Sequence, residues 1–130
     1  MIEKSESLKK GINGTIVDIE TIGEFDRQYP SYDLMHYSDL KPTIFGFLTE
    51  NSLVQFCAEG PDEIAQLIQI IGDTMPKLSE PYYALNCYFE RGVLFHVCNL
   101  EPEFIDVRGD IKGRKWDIRE NLGKNKRNKT

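Results

Sequence analysis

The chain has 130 residues, 40% of them hydrophobic and 28% charged, and carries a formal net charge of −5. That length supports one hydrophobic core rather than two, and the apolar content excludes a disordered body. No apolar run approaches the roughly 20 residues of a membrane-spanning helix, and the charged "MIEKSESLKK" start lacks the apolar centre of a secretory signal.

Residues 1–13 are polar and read as a flexible lead-in that ends at the turn-like "GINGT". The stretch "TIVDIETIG" that follows is rich in Thr, Ile and Val and predicts a strand over 15–21. Alternation along it puts Val17 and Ile19 on one face and Ile16, Asp18, Glu20 and Ile22 on the other. A loop with many tyrosines, "EFDRQYPSYDLMHYSDLKP", comes next, where Pro30 and Pro42 discourage regular structure. "TIFGFLTEN" and "SLVQFCAEG" predict a hairpin turning at Glu50 and Asn51, so the first three strands form an antiparallel meander.

"GPDEIAQLIQIIGDTMP" is the clearest helix. Pro61 suits its first position, and Asp62 and Glu63 complement the positive end of its dipole. Ile64, Leu67, Ile68, Ile71 and Met75 share one face at helical spacing and predict core. "PYYALN" predicts a short strand, and Phe89, Val93 and Val97 at i, i+4, i+8 predict a helix through Gly92. "EFIDV" predicts another strand and "RKWDIRENLG" a third helix stopped by Gly123. After the hairpin, strands and helices alternate, so the later strands are expected to join in parallel through helical crossovers. The expected fold class is α/β, a mixed sheet with flanking helices, over a domain of residues 14–123 followed by a basic disordered tail, 124–130.

Charge is unevenly spread. From Lys112 onward the chain carries Lys112, Arg114, Lys115, Arg119, Lys124, Lys126, Arg127 and Lys129 against Asp117 and Glu120, while the part before it is acidic. A basic end can contact phosphate and an acidic body can hold divalent cations; a solvated tail explains the same pattern. Cys57, Cys87 and Cys98 lack metal-type spacing and lie in apolar or aromatic settings, as expected of reduced thiols in a cytoplasmic protein.

Asp18 and Glu20 are the residues that need a reason. They project from the same face of a strand about 6.6 Å apart. On a buried strand two like charges repel and are costly to desolvate. A hard divalent cation such as Mg²⁺ reverses both penalties; a solvated edge strand removes them without any ligand.

"DIETIG", followed by a hairpin, a helix, a strand and "ALNCYFERGVL", resembles the DEDD-type nucleases of the ribonuclease H-like superfamily, which include proofreading 3′→5′ exonucleases. The family's opening strand bears Asp-x-Glu-Thr with Gly shortly after, matched by Asp18, Glu20, Thr21 and Gly23. Its second motif, Asn-x-x-Phe-Asp at a strand-to-helix junction, is matched by Asn86, Phe89 and Glu90, and its next strand often has an acid near the position of Asp106. The resemblance spans roughly residues 14–123. It implies a ribonuclease H-like fold and a nuclease that uses two Mg²⁺ or Mn²⁺ ions to hydrolyse phosphodiester bonds of DNA or RNA, acting on a single-stranded end. Asp18 would bridge the ions, and Glu20 and Glu90 would help ligate them. The backbone near Thr21 and Ile22 would meet the terminal nucleotide, and Asn86 and Phe89 would fix the second motif. Phe89 also reads as core packing and Asn86 as a strand-end cap.

Two departures stand out. Glu90 replaces the usual Asp with a side chain one methylene longer. The third motif, a His or Tyr base a few residues before a final Asp, is missing: no His or Tyr follows His96, and Asp117 has no partner. His36 in the loop is a candidate substitute base, His96 reads as structural, and Tyr29, Tyr32 and Tyr37 either stack on bases or cover the sheet edge. A non-catalytic member binding nucleic acid or protein, a homo-oligomer whose neighbour supplies the missing acid, and an unrelated interaction domain with Asp18 and Glu20 merely exposed all fit the same residues.

Overall fold

The computed structural model describes residues 1–107. Six strands, β1 (Ile2–Ser7), β2 (Thr15–Ile22), β3 (Lys41–Leu48), β4 (Ser52–Cys57), β5 (Tyr82–Ala84) and β6 (Phe104–Asp106), form one sheet in the order β1-β4-β3-β2-β5-β6. The chain is thus α/β with a mixed sheet: β1, β4, β3 and β2 pair antiparallel, and β2, β5 and β6 pair parallel. Helices α1 (Ile64–Thr74) and α2 (Cys87–Cys98) provide the crossovers into β5 and β6. The meander and the parallel strands follow the expectation; the expected helix at 114–123 and the tail lie outside the described residues.

One difference concerns the N-terminal segment. Residues 2–7 are not an unstructured lead-in but a strand, paired with β4 from Ile2↔Cys57 to Ser7↔Ser52. Every side chain of "IEKSES" in this strand is exposed, so no apolar alternation announces it. Its backbone completes the ladder that β4 leaves open, and its charges blunt the new sheet edge.

The core lies between one face of the sheet and both helices. Val17 and Ile19 of β2, Phe45 and Phe47 of β3, Leu67 and Ile71 of α1, Met75 just after it, and Val93 and Leu94 of α2 are all buried. Of the predicted apolar stripe on α1, Leu67, Ile71 and Met75 are fully inside. Pro61 opens the segment as expected, but Pro61–Glu63 form a 3-10 turn and the α-helix begins at Ile64.

Gly92 in the middle of α2 has a packing reason. A Cβ built there would lie 2.6 Å from Cγ and 2.9 Å from Cβ of Tyr37. Tyr37 is buried, ends the 3-10 turn Leu34–Tyr37, and donates its hydroxyl to Ser31 O at 2.6 Å. The loop of residues 23–40 therefore locks onto α2 through one ring set against a bare backbone. His96 ties the same elements together, its Nε2–H donating to Leu34 O at 2.8 Å. Gly92→Ala is expected to cost about 1–3 kcal/mol through overpacking. In urea denaturation its effect should be much smaller in a Tyr37→Ala background, because the two substitutions share one contact.

Candidate functional site

The site is built where the two halves of the sheet part. Thr15↔Tyr82 and Ile16↔Tyr83 are the paired residues of β2 and β5. Buried Thr15 strengthens that start: its N–H donates to Pro81 O at 2.9 Å and its hydroxyl to Ser79 O at 2.8 Å. Beyond Ile16 the ladder with β5 ends, while the ladder with β3 continues. The N–H groups of β2 that face β5 then need other acceptors. At Ile19 the acceptor is a side chain: Ile19 N–H donates to Glu90 Oε2 at 3.4 Å, a long bond from strand to helix. Glu90, in the first turn of α2, is only 4% exposed, and its other oxygen, Oε1, is buried without a partner among the described residues.

Burial of the charged form dominates the electrostatics. Desolvation pushes Glu90 up to about 8; the Ile19 N–H pulls it partly back and the charge of Asp18 adds to the rise. At neutral pH Glu90 is therefore mostly protonated. Asp18 is also raised, first by partial desolvation and then by Glu20. Those mutual effects place Asp18 within electrostatic reach of both other acids.

The three carboxylates nonetheless approach from different directions. Asp18 and Glu20 are exposed on the face of β2 opposite the core, as the alternation predicts. Glu90 enters from α2 on the core side. Among the described residues no group of three His, Cys, Asp or Glu side chains is arranged to hold a metal ion. Asp106 sits opposite Ala84 in β6, with β5 between it and β2.

The other predicted residues surround this point. The register of β2 against β3 shifts between Glu20 and Thr21, so Thr21 pairs with Pro42 and Ile22 with Lys41. Such bulges re-aim side chains at strand ends, and Ile22 is left 52% exposed. Asn86 is the exposed residue preceding α2; its side chain makes no capping hydrogen bond, while its carbonyl accepts from Phe89 N–H at 3.0 Å. Phe89 packs against the core and meets Phe25 and Tyr37 edge-on, with ring centroids 6.4 and 6.0 Å away.

The sequence reading missed two participants. Phe25 completes that aromatic cluster, and Arg91 holds its guanidinium 5.4 Å from the centre of the Tyr88 ring. Neither shows a motif: Phe25 is brought to the cluster by the loop folding back on α2, whereas Arg91 and Tyr88 are neighbours one turn apart on α2 itself.

His36 is held within the loop. Its Nδ1 lies 2.7 Å from Tyr29 O and 3.1 Å from Asp26 O, and since carbonyls only accept, Nδ1 carries the proton. The ring stacks on Phe25 at 4.8 Å. In neutral His36 this leaves Nε2 with the lone pair. Tyr37 is core, whereas Tyr29 and Tyr32 are exposed.

Glu90 has a measurable signature. Between its ordinary 4.5 and about 8 the folded state keeps a proton that the unfolded state releases. Stability should therefore fall as pH rises through that window, by up to about 1.4 kcal/mol per pH unit from this group. Glu90→Gln, which mimics the protonated form, should flatten most of that slope when urea midpoints are compared from pH 5 to 9. Asp18, raised as well, contributes with the same sign, its window opening at its ordinary 3.8.

No family model matches the chain, and no curated protein or solved structure matches it.

Proposed function

We propose that the chain is a ribonuclease H-like domain that hydrolyses phosphodiester bonds of DNA or RNA with a divalent cation, in the manner of a 3′→5′ exonuclease. One observation carries this reading: a buried carboxyl with an orphaned oxygen, Glu90, meets the backbone of Ile19, the residue after Asp18, where β2 and β5 stop pairing, and feels the charge of Asp18. The topology supports it. After β4 the chain crosses to the far side of β2, so strand order reverses there, and open α/β sheets take ligands at the carboxyl ends of strands flanking such a reversal. A three-strand antiparallel meander followed by parallel strands is also compatible with that fold.

The donors fit a hard cation in kind, since all three are carboxylates and one has an oxygen without a partner. Asp18 and Glu90 would hold the ion, with Glu20 adjoining. A bound Mg²⁺ or Mn²⁺ supplies Lewis acidity and lowers the pKa of water. The remaining work falls to the chain. Glu90 must release its proton before it can act as a ligand, and the Ile19 N–H steadies the charge that results. Asp18 and Glu20 present their charge from the solvent side. The exposed Ile22 offers apolar contact to a terminal nucleotide, and Phe89 packs against the core on the buried flank.

A second reading has its own support. Because Asp18 and Glu20 face solvent while Glu90 comes from the core side, Glu90 can serve simply as the acceptor that closes the β2 backbone. The chain is then a non-catalytic domain that binds nucleic acid or a protein partner.

Thermal unfolding with Mn²⁺ or Mg²⁺ separates the two. At a hundred times its dissociation constant a bound ion adds about 2.7 kcal/mol, and Asp18→Ala should lose that gain. Because binding displaces the Glu90 proton, the gain should grow from pH 6 to 8. If neither cation stabilises the wild type, the catalytic reading is wrong. If stabilisation occurs but end-labelled single strands and duplexes stay intact, the binding domain remains.

A further inference from the structure

Both helices pack on the Val17–Ile19 face of the sheet, and no described helix covers the other. Pair by pair, the register of that other face reads Leu53 of β4, Leu48 of β3, Ile16 of β2, Tyr83 of β5 and Ile105 of β6. Five apolar side chains on five adjacent strands make one continuous stripe across the sheet. Its two ends are open to solvent, Leu53 at 40% and Ile105 at 45%. The neighbouring row, Lys4, Gln55, Gly46 and Asp18, is polar, and Gly46 contributes no side chain. Between the rows runs a groove of about 430 Å³ lined by Ile16, Asp18, Gly46, Leu48, Leu53 and Gln55.

We infer that this groove is the seat of the chain's own C-terminal segment, residues 108–130. Three observations point to it over other occupants. The segment leaves from β6, whose Ile105 is the last member of the stripe, so it is tethered at the stripe's end. Four interstrand steps of about 4.8 Å separate Ile105 from Leu53, and 23 residues span that distance even at about 1.5 Å each. Charge is complementary: residues 108–130 hold nine Lys and Arg against three acids, and residues 1–107 hold seven against eighteen. Asp18, Glu20 and Glu6 lie exposed on the same open face. The segment also carries Ile111, Trp116, Ile118 and Leu122, the apolar partners the stripe needs. A tether favours this occupant over a second copy, because its local concentration does not depend on dilution. The inference does not rest on the catalytic reading, although the two meet at Asp18, which lines the groove.

Trp116 is the only tryptophan in the chain and reports on the seat directly. In the full-length protein at micromolar concentration its emission should be blue-shifted, and acrylamide should quench it several-fold less than in a peptide of residues 108–130. Shielding should be unchanged on tenfold dilution. Leu53→Lys and Ile105→Lys alter exposed positions; each should restore most of the quenching while far-UV circular dichroism stays that of wild type. Trp116 quenched in the full chain as freely as in the peptide would overturn the inference. So would shielding that disappears on dilution, which assigns the face to a second copy, or shielding indifferent to both substitutions.

Discussion

Two residue pairs, Thr15↔Tyr82 and Ile16↔Tyr83, join the antiparallel half of this sheet to the parallel half. The brevity of that seam governs what lies around it. Past Ile16 the backbone of β2 still has donors to satisfy on the β5 side, and the cost of burying one unpaired is of the order of 1–3 kcal/mol. The structure answers with a carboxyl group from α2 at Ile19. Had β5 run further alongside β2, the N–H would be paired by backbone. A short seam therefore creates the need for Glu90.

Placing a carboxyl there sets a second requirement, that α2 be held at a fixed depth against the sheet. The aromatic cluster of Phe25, Tyr37 and Phe89 meets that requirement from the loop side. Gly92 lets the Tyr37 ring reach the helix backbone, and His36 and His96 tie the loop to itself and to α2 through backbone carbonyls. The histidines thus have structural duties that are visible in their hydrogen bonds. Their identity as the chain's only two imidazoles invites a catalytic reading that their contacts do not require.

Much of the architecture was legible because it rests on periodicity. The β2 alternation put Val17 and Ile19 inside and Asp18 and Glu20 outside, as found, and the α1 stripe named Leu67, Ile71 and Met75 as core. β1 was not legible, since an edge strand exposed on both faces has no hydrophobic period to read. The role of Gly92 was hidden because it depends on a ring 55 positions away in sequence. For the site, order and spacing brought Asp18, Glu20 and Glu90 to the same part of the fold. They could not tell that Glu90 reaches the β2 backbone from the core side, because that depends on where β2 and β5 cease to pair. The apolar stripe from Leu53 to Ile105 was equally out of reach, for it exists only once five registers are known.

The placement of β1 has a consequence for how the chain assembles. It precedes the other strands of this sheet in the chain and is the outermost strand of its edge, and its partner β4 lies 45 to 55 positions later. Loop closure over such a separation must await the β3–β4 hairpin, which closes locally. During synthesis β1 thus waits longest of the meander for its partner. A waiting strand with apolar faces is a template for pairing with other chains; "IEKSES" has charge or hydroxyl at five of its six positions. The polarity that concealed this strand from sequence reading is also what lets it wait in solution.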